Sequence, residues 1–141
     1  MITPLTTTNA DSVKTVEMMW QAAGAAVEQM SVQHHDEILA ATSHLPHMLA
    51  FGLVDSLARQ EDYAEIFRYA AGGFRDFTRI ASSDPVMWRD ICIHNREAIL
   101  KAMDRYQSDL DMLRQAIQDG DENSLMKIFS RAKAARDTYA E

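Results

Sequence analysis

A repeating series of apolar residues in the C-terminal half of the chain constrains its fold more than any other feature. The members succeed one another at steps of four and three: Ile99, Met103, Tyr106, Leu110, Leu113 and Ile117. This heptad-like spacing puts them on one face of an α-helix and is typical of helices that pack in pairs. Asp84 and Pro85 predict the start of this helix, because Asp caps free N–H groups and Pro has a helical φ. Gly120 predicts its end.

The length of this helix bears on assembly. A helix over residues 85–119 would be roughly 50 Å long. A compact domain of 141 residues has a radius of gyration of about 14 Å and hence a diameter of roughly 37 Å. We therefore expect part of the helix to pack on a second chain. Asn95 lies on the same face, where it would fix the register of the paired helices.

The rest of the chain also has helical patterning, in shorter pieces. Helices are predicted from about Ala10 to Gly24, from Ser31 to a kink at Pro46, over residues 48–59, over residues 63–71 up to the Gly72-Gly73 pair, over residues 74–81, and after a cap at Asn123 or Ser124. The predicted fold is all-α, a helical bundle whose long C-terminal-half helix forms an intertwined homodimer.

Composition excludes several function classes. The formal net charge of -7 argues against a nucleic-acid partner, because phosphate binding needs a basic surface. Cys92 is the only cysteine, so neither an internal disulfide nor a thiolate zinc cluster can form, and we expect a cytoplasmic protein. The apolar runs fall short of the ~20 residues of a membrane helix. Neither G-x-G-x-x-G nor a P-loop occurs.

The first candidate site is the segment "SHLPH", with His44 and His47 on either side of Pro46. Three interpretations are open. Histidines three apart can share a helix face and a metal ion, although Pro46 would disturb that geometry. They can also bond carbonyls that a kink sets free, or they can donate to a substrate carboxylate. Of the three, the metal site is the least favoured.

The second candidate site is "GGFRDFTRIASSDPVMW", residues 72–88. Asp76 and Arg79 have the i, i+3 spacing of a solvated ion pair. Alternatively, Arg79 grips a carboxylate with its planar fork while Asp76 holds or gates it. Trp88 would be the wall of a pocket for a cyclic ligand or, more ordinarily, a core residue.

These two stretches together resemble a known family. "HDEILAATSHLPHMLAF" and "GGFRDFTRIASSDPVMWRDI" are similar to the C-terminal helical domain of the prephenate dehydrogenases, which oxidatively decarboxylate prephenate with NAD or NADP in tyrosine biosynthesis. The initial "ITPL" looks like the end of that family's last nucleotide-domain strand. The resemblance implies that residues 1–8 are the remnant of that strand and linker, and residues 9–141 the dimerisation and substrate-binding domain.

The resemblance also implies what is missing. A Rossmann domain that binds NAD or NADP and carries the catalytic histidine should precede this piece. We therefore expect the 141-residue chain alone to be inactive, with no catalytic, cofactor-binding or metal-binding residue of its own.

The matching positions imply roles for individual residues. Arg79 matches the arginine that binds a substrate carboxylate, His47 a histidine that lines the active-site pocket, and His44 its neighbour. Asp76 matches an acidic residue of an ionic gate around the arginine. Two further residues, Gly72 and Trp88, match positions that the family contributes from the adjacent subunit.

The implied partners follow from the same resemblance. They are a second copy of the chain, prephenate or arogenate as substrate, and tyrosine as a candidate inhibitor. The alternative function is a stand-alone helical interaction or tyrosine-sensing module without catalysis, since the nucleotide-binding motif is missing.

Overall fold

The computed structural model describes residues 1–139, and over these residues the fold is all-α, as predicted. Extended pairing is confined there to one isolated bridge between Ile2 and Gln29. In it, the Ile2 N–H donates to the carbonyl of Glu28, and the Ile2 carbonyl accepts from the N–H of Met30. The first residues are thereby tied to the segment that follows the first helix.

The described residues form eight α-helices. They are α1 (Ala10–Ala22), α2 (Val32–Leu39), α3 (Leu45–Ala58), α4 (Tyr63–Arg68), α5 (Gly72–Thr78), α6 (Pro85–His94), α7 (Arg96–Asp119) and α8 (Glu122–Thr138). A π-helical turn, Ala40–His44, joins α2 to α3, and a 3₁₀ turn, Arg79–Ser82, follows α5. The chain divides into two compact units, Met1–Leu100 and Lys101–Glu141.

Most helix ends lie where local sequence chemistry predicts them. The Ser31 hydroxyl accepts the N–H of His34 at 3.1 Å, and an Asp84 carboxylate oxygen accepts that of Met87 at 2.8 Å. Gly24 and Gly120 follow α1 and α7 with φ of 86° and 62°. These values suit glycine, which has no Cβ to clash. The predicted caps at these four positions are confirmed.

The long helix predicted over residues 85–119 is wrong, because it is interrupted at Asn95. This residue has φ -108° and ψ 28°, and it ends α6 just before α7 begins. Its side-chain amide bonds groups of the same chain, so the expected role in interchain register is not observed. The 24 residues of α7 span only about 36 Å, and helix length therefore no longer requires a second chain.

Three other predicted boundaries also differ. The glycine pair does not stop a helix: α4 ends earlier, at Arg68, and Gly72 is the first residue of α5. The cap of α8 is Asp121, whose carboxylate accepts the N–H of Ser124 at 3.0 Å, and not Asn123 or Ser124. The kink expected at Pro46 is a π-helical turn, through which the helical path continues from α2 into α3.

The core of the first unit lies where α3 packs against α5, the 3₁₀ turn and the π-helical turn. Its buried residues are few: Ala40, His44, Ala50, Trp88 and Ile99. Two of them are alanines, which allow close approach of the backbones. The two ring side chains among them are His44 and Trp88, so the core of this unit and the first candidate site coincide.

Candidate functional site

The π-helical turn positions the two histidines. Its signature bond runs from the Leu45 N–H to the carbonyl of Ala40, five residues earlier. Pro46 follows directly, and a proline ring lacks an N–H and crowds the carbonyl of the preceding turn. A wider turn accommodates both effects, and such turns occur often at functional sites. His44 becomes buried at the end of this turn, and His47 lies half-buried in the first turn of α3.

His47 is held from two sides. Its Nδ1 lies 2.8 Å from the carbonyl oxygen of Ser43. Because a carbonyl can only accept, Nδ1 carries the proton of this bond. The imidazole also stacks on the indole of Trp88, with ring centroids 3.8 Å apart and an interplanar angle of 23°. The bond to Ser43 is the contact expected of a histidine beside a kink.

Trp88 connects both histidines. It lies on α6, is only 6% exposed, and meets the ring of His44 edge-on at 6.1 Å. The resemblance implied that Trp88 reaches a pocket of the adjacent subunit. In the single chain the indole is buried against two histidines of that chain, and its position next to the pocket of an adjacent subunit stays a prediction. Trp88 therefore acts as the support behind His47.

His44 is bonded by a residue that the sequence patterns did not associate with it. The side-chain nitrogen Nδ2 of Asn95 lies 3.1 Å from Nδ1 of His44 and 2.9 Å from the carbonyl oxygen of Asp36. Burial lowers the pKa of His44, and the neighbouring His35 and His47 lower it further, while the carboxylate of Asp36 raises it in part. His44 is therefore neutral at pH 7.

His35 and Asp36 complete the surroundings of His44. Nδ1 of His35 lies 2.9 Å from a carboxylate oxygen of Asp36, and both side chains are partly buried. None of His35, Asp36 and Asn95 is among the site residues predicted from the sequence. The contacts of Asn95 span 51 and 59 residues, a separation at which helical periodicity carries no information.

The second candidate site lies on the elements that pack against α3. Asp76 belongs to α5, and Arg79 begins the 3₁₀ turn; both are exposed. Within residues 1–139 no ion pair joins them, so the i, i+3 pair is not formed. The guanidinium of Arg79 is left available to another anion.

Gly72 lies at the exposed start of α5. A Cβ added there would meet no atom within 4 Å, and its φ is not positive. Neither packing nor backbone conformation within the described chain therefore requires glycine. A close approach by another molecule would give a reason for it.

The described residues contain neither a cluster of metal ligands nor a helix that could span a membrane. Over residues 1–139, no three His, Cys, Asp or Glu side chains are grouped so that they could hold a metal ion. None of the helices in this range is long and apolar enough to cross a bilayer.

Comparison with known proteins identifies the family. Residues 31–131 match the family described as "Prephenate dehydrogenase, dimerization domain". The chain belongs to this family. It is 38% identical over 138 residues to the cyclohexadienyl dehydrogenase of Zymomonas mobilis, covering 96% of this chain and 47% of that protein. The prephenate dehydrogenase of Bacillus subtilis is also 38% identical over 138 residues, covering 97% and 37%.

Solved structures of this family match as well. The prephenate dehydrogenase from A. aeolicus in complex with hydroxyphenyl propionate and NAD+ has a TM-score of 0.90 and 39% identity, covering 97% of this chain and 48% of the other. A Synechocystis arogenate dehydrogenase has a TM-score of 0.85 and 25% identity, covering 97% and 50%. The chain thus spans about half the length of these dehydrogenases or less. None of these relatives is a stand-alone sensor, so the alternative function gains no support.

Proposed function

We propose that the chain is the substrate-binding and dimerisation part of an enzyme that oxidatively decarboxylates prephenate or arogenate; with prephenate, the product is 4-hydroxyphenylpyruvate. The observation that carries the proposal is the likeness to the A. aeolicus enzyme in complex with hydroxyphenyl propionate. That ligand has a carboxylate and a hydroxylated six-membered ring. A free guanidinium and an uncharged imidazole are groups that can bind such a molecule.

Arg79 is the proposed carboxylate-binding residue. Its guanidinium is exposed and has no ion-pair partner within residues 1–139. It belongs to a turn that packs on α3, the helix that carries His47. A planar guanidinium binds a carboxylate through two parallel hydrogen bonds, which fixes orientation as well as position. Asp76, on the preceding helix, is proposed to gate it by competing for the guanidinium.

His47 and His44 are proposed to line the pocket for the ring. His47 is fixed by the Ser43 carbonyl and the Trp88 indole, so it presents a rigid edge and not a mobile side chain. Prephenate becomes aromatic as it loses carbon dioxide, so the chemistry is favourable once the substrate is oriented. The role of this chain is accordingly to hold the anionic ends and the ring in place.

The nicotinamide cofactor does not fit the residues described here. Within residues 1–139 there is no strand followed by a glycine-rich loop and a helix, which is the usual cradle for a dinucleotide phosphate. NAD or NADP is therefore proposed to bind mainly to another domain of the enzyme, which would also supply the catalytic histidine.

A second copy of the chain is the proposed macromolecular partner. The family is a dimerization domain, and much of the apolar series on α7 is exposed in the single chain, including Leu110 at 41% and Ile117 at 63%. Gly72, with open space beside it, is proposed to lie next to the substrate pocket of that second copy.

Substitution of Arg79 tests the proposal in the intact gene product that contains these residues. We expect Arg79→Ala to raise the KM for prephenate by roughly 10- to 100-fold, because a charge-assisted hydrogen bond contributes about 1.5–3 kcal/mol. The KM for the nicotinamide cofactor should stay nearly unchanged. Steady-state assays of cofactor reduction measure both constants.

Arg89→Ala is the matched control, because Arg89 is an exposed arginine on α6 that already pairs with Asp90. It removes the same charge and should leave both constants unaltered. Arg79→Lys should recover only part of the loss, since lysine lacks the planar fork. An unaltered KM for prephenate in Arg79→Ala would remove this residue from the site.

A further inference from the structure

The orientation of the Asn95 amide can be determined from its neighbours. One of its terminal atoms lies 2.9 Å from the carbonyl oxygen of Asp36. A backbone carbonyl only accepts, so this atom must be the nitrogen Nδ2 and not the oxygen. The same Nδ2 lies 3.1 Å from Nδ1 of His44. Its two hydrogens can serve both acceptors at once.

This orientation determines where His44 carries its proton. Because the amide donates to Nδ1, that ring nitrogen must hold a lone pair, and in a neutral imidazole the proton is then on Nε2. If Nδ1 carried the proton, its N–H would point at the N–H of the Asn95 amide, and neither donor would have an acceptor. His47 has the reverse arrangement, since its Nδ1 donates to the Ser43 carbonyl and its Nε2 is left with the lone pair.

Both remaining ring nitrogens reach solvent. Within residues 1–139, Nε1 of Trp88 is the one side-chain nitrogen or oxygen that is fully buried and has no hydrogen-bond partner. Nε2 of His44 and Nε2 of His47 also have no partner in the described chain, yet they are not fully buried. The small exposed part of His44, 9% of the residue, therefore includes its N–H group.

We propose that Asn95 is a positioning residue that fixes His44 as an Nε2–H donor, beside His47 as an Nε2 acceptor. The two histidines then offer a ligand one donor and one acceptor on rings that contact the same indole. This pattern suits a ligand that brings a carboxylate or carbonyl oxygen to His44 and a hydroxyl group to His47. The identity of that ligand rests on the proposed function, whereas the proton positions do not.

Nitrogen NMR of the full chain, labelled with ¹⁵N-histidine, tests the proton positions directly. Two-bond ¹H–¹⁵N correlations distinguish a ring protonated on Nδ1 from one protonated on Nε2. The expected result at neutral pH is the Nε2–H pattern for His44 and the Nδ1–H pattern for His47. His44→Asn identifies the His44 signals. An Nδ1–H pattern for His44 in the unsubstituted protein would overturn the proposal, without dependence on any variant.

Asn95 variants test its role. In Asn95→Leu, which is similar in size but has no donor, His44 should become a mixture of both tautomers while His47 keeps its pattern. In Asn95→Asp, His44 should move to Nδ1–H, because a carboxylate accepts. If His44 keeps a pure Nε2–H pattern in Asn95→Leu, Asn95 is not the positioning residue.

Kinetics of the intact enzyme separates this inference from the proposed function. Asn95→Leu should raise the KM for prephenate roughly fivefold, the cost of one neutral hydrogen bond. If the tautomers change as expected but neither Asn95→Leu nor Arg79→Ala alters that KM, the tautomer assignment stands and the proposed substrate site is wrong.

Discussion

His44 and His47 lie three residues apart and share a contact with Trp88, yet they differ in the hydrogen bonds that determine where each ring carries its proton. One accepts a hydrogen bond from an amide 51 residues away, and the other donates to a carbonyl four residues before it. The spacing and Pro46 were enough to predict that the pair lies at an irregular turn. The partners of His47 beyond that turn, and every partner of His44, depend on tertiary packing and could not be predicted.

The same limit applies to Trp88 and Asn95. Trp88 could equally have been a core residue or a pocket wall, and the structure makes it a core residue that supports a histidine. Asn95 continues the apolar spacing of the helix, so its pattern pointed to an interchain seam. A single polar residue on a helix face has no preferred direction until its neighbours are known.

The pH dependence of stability provides a test at the residue scale. The pKa of His44 is lowered from its ordinary value of 6.5, chiefly by burial. The unfolded chain therefore binds more protons than the folded chain in the interval below 6.5. The contribution of neutral, buried His44 to the free energy of unfolding is complete above pH 6.5. It falls as the pH decreases through the interval, and it levels off below the pKa that His44 has in the folded chain.

We expect the free energy of unfolding of the unsubstituted protein to decrease more over this interval than that of His44→Asn. The asparagine side chain can still accept from Asn95 but does not titrate, so it isolates the effect. Urea denaturation at a series of pH values measures both. Parallel curves for the two proteins would contradict the assignment of a lowered pKa to His44.

At the scale of elements, the local rules of capping worked where one candidate stood alone. Ser31 and Asp84 each precede a helical pattern as the obvious acceptor, and both cap as expected. Before α8, three residues of the types that cap helices occur within four positions, and the prediction of Asn123 or Ser124 was wrong because Asp121 is the cap. The interruption at Asn95 had no local signal, because the apolar spacing continues across it.

Asp84 provides a test at this scale. Its side chain accepts the Met87 N–H at 2.8 Å, and α6 carries Trp88 one turn later. We expect Asp84→Ala to lower the free energy of unfolding by about 1 kcal/mol. Asp84→Ser keeps an acceptor and should recover most of this loss. Asp104→Ala, at an exposed position within α7, should stay within about 0.5 kcal/mol of the unsubstituted protein. Equal losses in Asp84→Ala and Asp84→Ser would mean that capping is not the cause.

At the scale of the whole molecule, the expectation of a second chain now depends on exposed apolar surface and no longer on helix length. Four members of the α7 series are substantially exposed: Met103 and Tyr106 at 39%, Leu110 at 41% and Ile117 at 63%. On α8, Met126 is 66% and Phe129 is 55% exposed. Exposed apolar side chains repeated along one helix face are typical of a surface that packs on another protein chain.

Ile117→Glu tests the dimer. A charge placed in a buried apolar interface is expected to shift the protein from dimer to monomer at micromolar concentration, because the carboxylate would lose its hydration there. Gln118→Glu adds the same charge at the neighbouring exposed position and should leave the dimer intact. Sedimentation velocity measures the mass of both. Dimers in Ile117→Glu would place the interface elsewhere.

The π-helical turn at Ala40–His44 has a further consequence for sequence change along this segment. A turn of this kind holds one residue more than the α-helical turn it replaces, and one residue corresponds to about 100° of rotation in an α-helix. Deletion of a single residue between Ala40 and Ser43 would allow α2 and α3 to merge into one regular helix, and everything before the deletion would rotate by that angle. His35 and Asp36 would then leave His44 while His47 kept its place. Point substitutions in this segment should consequently be far better tolerated than changes in its length.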